Sequence, residues 1–343
     1  MRSALPIVLS VLFVACAGDS VAPRPLSVPD NLGPLGSVGA SKTPDNGGLV
    51  VWGDNTAQQI SAAPVGEDIS EIATGGARQG LVIRDDGSLV LWGGVGVSGA
   101  VPPLPDSLAA GRYIDAHLSL SYLFAIRRDH SVMTWGSFLN KGLGGSPANP
   151  PANLRATDIA GGSDHGVALA MDGRLATWGS GPAAVPPPED KFSEVAARTI
   201  YSIALRKDGT LFGWGNVPTS TPGIYYDWVS GGWESDGAGH FFIPNDRFVT
   251  IAAGNRHILA LRANGTIAGW GQGPFGETRA PAGIRFTAIS GGLGFSIGLD
   301  TDGDIHQWGD ASKGTGNVPG GRFVSIRAGA SHGAALRLAD KVR

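Results

Sequence analysis

An all-β fold, a seven-bladed β-propeller, is what the sequence predicts, and three observations carry that expectation. Trp-Gly recurs seven times, at Trp52, Trp92, Trp135, Trp178, Trp214, Trp270 and Trp308, at intervals of 40, 43, 43, 36, 56 and 38 residues. Between the alternating apolar runs of most copies lies Asp-Gly or Asn-Gly, the strongest short-range hairpin signal. The array begins with a second half-unit, Asn46 to Trp52, and ends with a first half-unit, Arg322 to Arg337. A period near 40 residues built from short strands marks a propeller. Six whole units and two complementary halves make seven blades. Closure by pairing the N-terminal with the C-terminal half-repeat removes two open sheet edges.

The chain divides into three stretches. Residues 1–15 read as a signal peptide, with one positive charge at Arg2 and an apolar run too short to span a bilayer. Phe13-Val14-Ala15-Cys16 resembles a bacterial lipobox, in which Cys16 becomes the lipid-attached N-terminus. Ala15-Cys16-Ala17 also fits ordinary signal cleavage, so an envelope lipoprotein (outer membrane or cell surface) and a secreted protein are both open. Residues 16–47, rich in Pro, Gly and Ser, read as a flexible tether, and 48–343 as the propeller. Cys16 is the only cysteine, so the domain holds no disulfide and depends on packing.

Losing residues 1–15 removes one basic and no acidic side chain, taking the net charge from −3 to −4. A near-neutral chain without a Lys/Arg cluster argues against a nucleic-acid ligand. Within the 343 residues, 54 Gly and 23 Pro point to many turns.

The repeats align on their turns: Asp86-Gly87, Asp129-His130, Asp172-Gly173, Asp208-Gly209, Asn264-Gly265 and Asp302-Gly303. Ahead of each hairpin runs another strand ending in small residues, such as Ala252-Ala253-Gly254, Gly161-Gly162 and Gly291-Gly292, expected near the axis where blades converge. Val-Pro segments after most Trp-Gly pairs, for example Val101-Pro102, suit an outer edge, giving three strands plus a variable fourth per blade.

IAAGNRHILALRANGTIAGWG (Ile251 to Gly271), WGDNTAQ (Trp52 to Gln58) and AGASHGAALR resemble repeats of the regulator of chromosome condensation family. The likeness covers about residues 48–340 and extends in type to secreted bacterial members, among them an inhibitor of β-lactamases. It implies a seven-bladed propeller acting through loops. Such folds host unrelated functions, and no binding loop here matches residue by residue.

Candidate sites are few. Gln79, Tyr122, His165, Tyr201, His257, Phe295 and His332 occupy one ring position. Their spread over seven blades argues for bridging between blades rather than convergence on a metal. Gly294-Phe295-Ser296-Ile297-Gly298 has nucleophile-elbow spacing but falls inside a repeat strand. Ser163-Asp164-His165 carries triad residue types, yet adjacent residues are not expected to adopt relay geometry. Asp300 to Asp304 occupies a hairpin turn, and Gly93 to Gly96 lacks a phosphate loop's Lys. No residues nominate an enzyme, cofactor or metal site.

The interval of 56 before Trp270 is the irregular one. Its excess, Gly223 to Phe242, holds Tyr225, Tyr226, Trp228, Trp233, Phe241 and Phe242 among Gly, Ser and Asp. That is the composition of a binding surface or of an enlarged blade strand, with Trp228 leaning to core and Trp233 to surface. The expectation is a monomeric, non-enzymatic, exported propeller binding a protein partner as scaffold or inhibitor, with a glycan or cell-wall polymer as the alternative. The lipid anchor would be its only membrane contact.

Overall fold

The computed structural model describes residues 46–338, apart from 67, 74–75, 77, 95, 98–99, 137–148, 185–189, 216–233, 236–239 and 244–245. Cys16, Tyr225, Tyr226, Trp228 and Trp233 therefore lie outside the described residues.

The described strands form seven antiparallel sheets. After β1 (Asn46–Gly53), blade 1 comprises β2 (Ile69–Ile72), β3 (Gln79–Arg84) and β4 (Leu89–Gly93), followed by a helical turn α1 (Asp106–Ala109). Blade 2 is β5 (Tyr113–Leu118), β6 (Tyr122–Arg127) and β7 (Val132–Gly136), and blade 3 is β8 (Ala156–Gly161), β9 (His165–Ala170) and β10 (Leu175–Gly179). Blade 4 holds β11 (Phe192–Arg198), β12 (Tyr201–Arg206) and β13 (Leu211–Gly215), extended by β14 (Glu234–Ser235) and β15 (His240–Ile243). Blade 5 is β16 (Thr250–Ala253), β17 (His257–Leu261) and β18 (Ile267–Gly271), and blade 6 is β19 (Phe286–Gly291), β20 (Phe295–Asp300) and β21 (Ile305–Gly309). β22 (Phe323–Ala328) and β23 (His332–Leu338) complete the seventh sheet with β1. There Val50 pairs with Ala335 and Trp52 with Gly333, so both ends of the array share one sheet.

The turns form as their residues dictate. Gly87, Gly173, Gly209, Gly265 and Gly303 have φ between +81° and +88°, a region costly for residues bearing a Cβ. His130 takes the same place at +68°. The preceding carboxylate or amide accepts the N–H two residues on, as Asp208 does from Thr210 at 2.9 Å, except before Gly303, where Asp300 takes the N–H of Asp304. Each turn carbonyl then accepts from the next blade, as Gly209 O does from Phe248 N at 2.8 Å.

Apolar side chains pack between blades in seven wedges. One wedge sets Ile72, Val82 and Trp92 of blade 1 against Ala334 and Leu336 of the seventh sheet. The repeat tryptophans staple neighbours together. Indole Nε1 of Trp92, Trp135, Trp214 and Trp308 donates to the carbonyls of Gln59, Pro102, Ala183 and Glu277, all in connections that precede their own blades. Trp52 Nε1 donates to Thr315 O, 263 residues later.

The variable fourth strand needs correction. Among the described residues only blade 4 is extended. Elsewhere the connection's backbone is engaged by side chains: Gln79 bonds both the N–H and the carbonyl of Val101, and Pro102 O serves Trp135.

Candidate functional site

Two polar systems run through the ring, one in the seams between blades and one on the axis. The seam system is built from the ring position. Tyr201 Oη donates toward the carbonyls of Gly254 and His257 on blade 5, at 2.7 and 2.9 Å. His165 Nε2 lies 2.7 Å from Ser202 Oγ on blade 4, and His257 Nε2 lies 2.9 Å from Ser296 Oγ on blade 6. These residues bridge blades and do not converge on a common centre, and among the described residues no group of His, Cys, Asp and Glu could hold a metal ion.

One expectation holds only in part. Asp164 Oδ1 lies 3.0 Å from Nδ1 of the adjacent His165, so two neighbours in sequence do pair, although the hydroxyl on the far nitrogen is that of Ser202 and not of Ser163. The carboxylate can only accept, so Nδ1 carries a proton, and Nε2 faces Ser202 Oγ, the order of groups in a Ser-His-Asp triad. The reason is the turn before β9, which points Asp164 back onto the ring. Ser202 and His165 are wholly buried and neither lines the axial cavity, so the trio acts as an interblade bridge. The polarity of the second dyad is set by its surroundings. Ser296 Oγ donates to Glu277 O at 2.8 Å, so its lone pair meets His257 Nε2–H, and His257 Nδ1 has no partner. Burial, helped by the charge of Arg198, holds His257 down to about 3 and His332 to about 4, so both are neutral. His332 has no partner at either nitrogen because the residue facing it on blade 1, in the place of Ser202 and Ser296, is Gly80. That site cannot hold a serine, since a Cβ on Gly80 would sit 2.0 Å from the Trp92 ring.

The axial system was not foreseen from the sequence. First strands of all seven sheets wall a cavity of about 120 Å³. The expected small residues are there, with Ala252, Ala253 and Gly291 in the wall. So are Glu71, Asp115, Asp158 and Glu194, at the same strand position on blades 1 to 4. Each of the last three reaches to the free edge of the next blade: Asp115 Oδ2 accepts from Ile159 N (3.2 Å), Asp158 Oδ2 from Val195 N (2.8 Å) and Glu194 Oε1 from Ile251 N (3.3 Å). An inner strand's edge N–H has no ladder partner, and a carboxylate supplies one.

Crowding these acids out of water favours their protonated forms. Burial raises Asp158 to about 6, Glu71 to about 7 and Glu194 to about 8, and it raises Asp115 well above the usual range. Neighbouring carboxylates push Asp115 further, while Arg327 on blade 7 pulls the group down. Glu71 and Asp115 are hydrogen-bonded to each other, so the pair retains a proton between them. Glu194 Oε2 is buried without a partner. The cluster can therefore take up and release protons near neutral pH.

The sequence-selected aromatics divide. Phe241 and Phe242 lie in β15, opposite Gly213 and Phe212, so part of the long interval is an added blade strand. Elsewhere, Phe275 and Leu293 are 59% and 51% exposed. A Cβ on Gly294 would lie 3.2 Å from the Phe275 ring, which places Phe275 over the turn that bears Leu293.

Comparison with known proteins agrees with this architecture. The pattern of the Regulator of chromosome condensation (RCC1) repeat matches residues 248–277, which contain Ile251 to Gly271, one of the three stretches on which the resemblance was read. Prp20p from Saccharomyces cerevisiae superposes with a TM-score of 0.67 at 16% identity, over 88% of this chain and 93% of that one. Human WBSCR16 gives 0.63 at 15% identity, over 85% and 99%. Yeast RCC1 (Prp20) bound to Kap60 gives 0.65 at 17%, over 86% and 90%. No curated protein matches the chain in sequence. The chain shares the fold of RCC1-like β-propellers and carries their repeat.

Proposed function

We propose that this propeller is an exported binding protein that engages a protein partner through loops on one face, as scaffold or inhibitor, without catalysing a reaction. The observation that carries the reading is the departure of blade 4 from the three-strand pattern. The interval that departs is the one rich in Tyr, Trp and Phe, side chains that supply large contact area at low entropic cost. Phe275 and Leu293 offer a second apolar spot. Structural relatives support it by what they bind: Prp20p is described with binding properties to Gsp1p and histones, and yeast RCC1 is bound to Kap60.

Export rests on residues 1–15 and anchoring on Cys16. Changing Cys16→Ser releases the protein from membranes if the cysteine is lipidated, and leaves its fractionation unchanged if it is not. The partner test is a pull-down from envelope extract with the full chain, wild type beside Trp233→Ser, after circular dichroism shows both folded. One protein retained by the wild type and lost by the variant supports the reading. Retention of a polysaccharide instead, competed by soluble sugar, replaces it with the glycan reading, and retention of neither defeats both.

A further inference from the structure

The neck of the axial cavity departs from the repeat at one residue. Where the first strands leave the axis, the equivalent position is Ser119, Gly162, Gly254, Gly292 and Gly329 on blades 2, 3, 5, 6 and 7. On blade 4 it is Arg198, whose side chain is only 7% exposed and forms part of the cavity wall. Among the described residues its guanidinium makes no hydrogen bond and no ion pair. Arginine cannot shed its charge by losing a proton, and its N–H donors, which meet no acceptor among the described residues, open onto the cavity.

The neighbours do not supply the missing charge. Glu71, Asp115, Asp158 and Glu194 stand further along the axis, where Arg327 is the cation they face. The ionisable group beside Arg198 is Tyr201, whose phenol donates to two carbonyls and is held protonated by burial. His117, His257 and His332, on blades 2, 5 and 7, all feel the positive charge of Arg198 and are held neutral. A side chain from blade 4 that reaches histidines on three other blades lies close to the axis.

We propose that the axial cavity is a binding site for one small anion, a short carboxylate or an inorganic oxyanion, held by the guanidinium of Arg198. The fork of N–H donors matches either chemistry in a two-point contact. The cavity, at about 120 Å³, limits the ligand to a few heavy atoms. Such an anion binds the folded ring alone, so it stabilises the ring by mass action.

The test uses the full chain at fixed pH and ionic strength, with sodium acetate or sodium phosphate replacing sodium gluconate, whose anion is too bulky for the cavity. Titration calorimetry on the wild type should show one saturable site for at least one probe. At a probe concentration one hundred times its Kd, the folding equilibrium constant should rise about a hundredfold. Acetate active alone identifies a carboxylate site and phosphate alone an oxyanion site. Arg198→Gly, which restores the residue of blades 3, 5, 6 and 7, should abolish the response and melt in gluconate no lower than wild type. Arg198→Lys keeps the charge without the fork and should weaken binding at least tenfold. No heat and no stabilisation of the wild type by either probe overturns the proposal whether or not the variants fold, and an equal response in Arg198→Gly overturns it as well.

Discussion

Blades 1 to 4 and blades 5 to 7 share one backbone plan but line the axis differently. Glu71, Asp115, Asp158 and Glu194 stand on the first half, and Thr250, Ala288 and Ser325 take the same position on the second. Inner strands form equally well with either set, so the fold does not require the carboxyls. The first half adds a titratable group that bonds across blades and binds protons near neutrality. Seams differ from the axis in the opposite sense: their tryptophans and hairpin turns recur from blade to blade, while only the side-chain hydrogen bonds that cross them vary. A repeat keeps at its seams what the ring needs, and its axis is where blades can diverge.

Three experiments test that contrast, in decreasing order of expected effect. Trp214 is wholly buried and fixed by its bond to Ala183 O, so Trp214→Ala should cost about 3–5 kcal/mol in denaturant unfolding. A loss near zero would mean that the seams are not what holds the ring.

The axis should respond to pH instead. Folded-state affinities of Asp158, Glu71 and Glu194 for protons, near 6, 7 and 8, stand above the unfolded values near 4. The folded chain therefore binds more protons than the unfolded chain between those limits. His117, His257 and His332, held neutral against an unfolded value near 6.5, work the other way below that pH, so the net fall in stability comes as pH rises from about 6.5 through 8. Glu194→Gln should leave stability near pH 5 almost unchanged and raise it by on the order of 1 kcal/mol or more at pH 8.5. Melting temperatures that rise between pH 6.5 and 8.5 in the wild type would contradict the buried cluster.

The smallest effect belongs to the unbonded ring member. His332 is buried with neither nitrogen partnered, and Phe295 fills the same position on blade 6. His332→Phe should be neutral or stabilising by up to about 1 kcal/mol. The matching change His165→Phe should destabilise, because it strands Ser202 Oγ and Asp164. Equal effects at the two positions would show that the hydrogen bonds do not distinguish these seams.

The sequence by itself determined the repeat, the seven copies, the hairpin turns and the complementary ends. Each of these is local chemistry: a turn that needs positive φ, an alternating run with a two-residue period, or a Trp-Gly step that recurs at near-constant interval. The extra length before Trp270 was legible too, although only folding decided that Phe241 and Phe242 join the sheet. Tertiary structure alone decided the rest. In Ile-Ser-Glu-Ile, Tyr-Ile-Asp-Ala, Ala-Thr-Asp-Ile and Phe-Ser-Glu-Val, each acid reads as one solvent-facing residue of an alternating strand. Closing seven sheets about an axis turns those faces inward and brings groups some forty residues apart into one cavity. His165 with Ser202 and Arg198 in its neck of small residues are invisible for the same reason. Such contacts depend on how one blade is set against another, and no local preference of the chain records that angle.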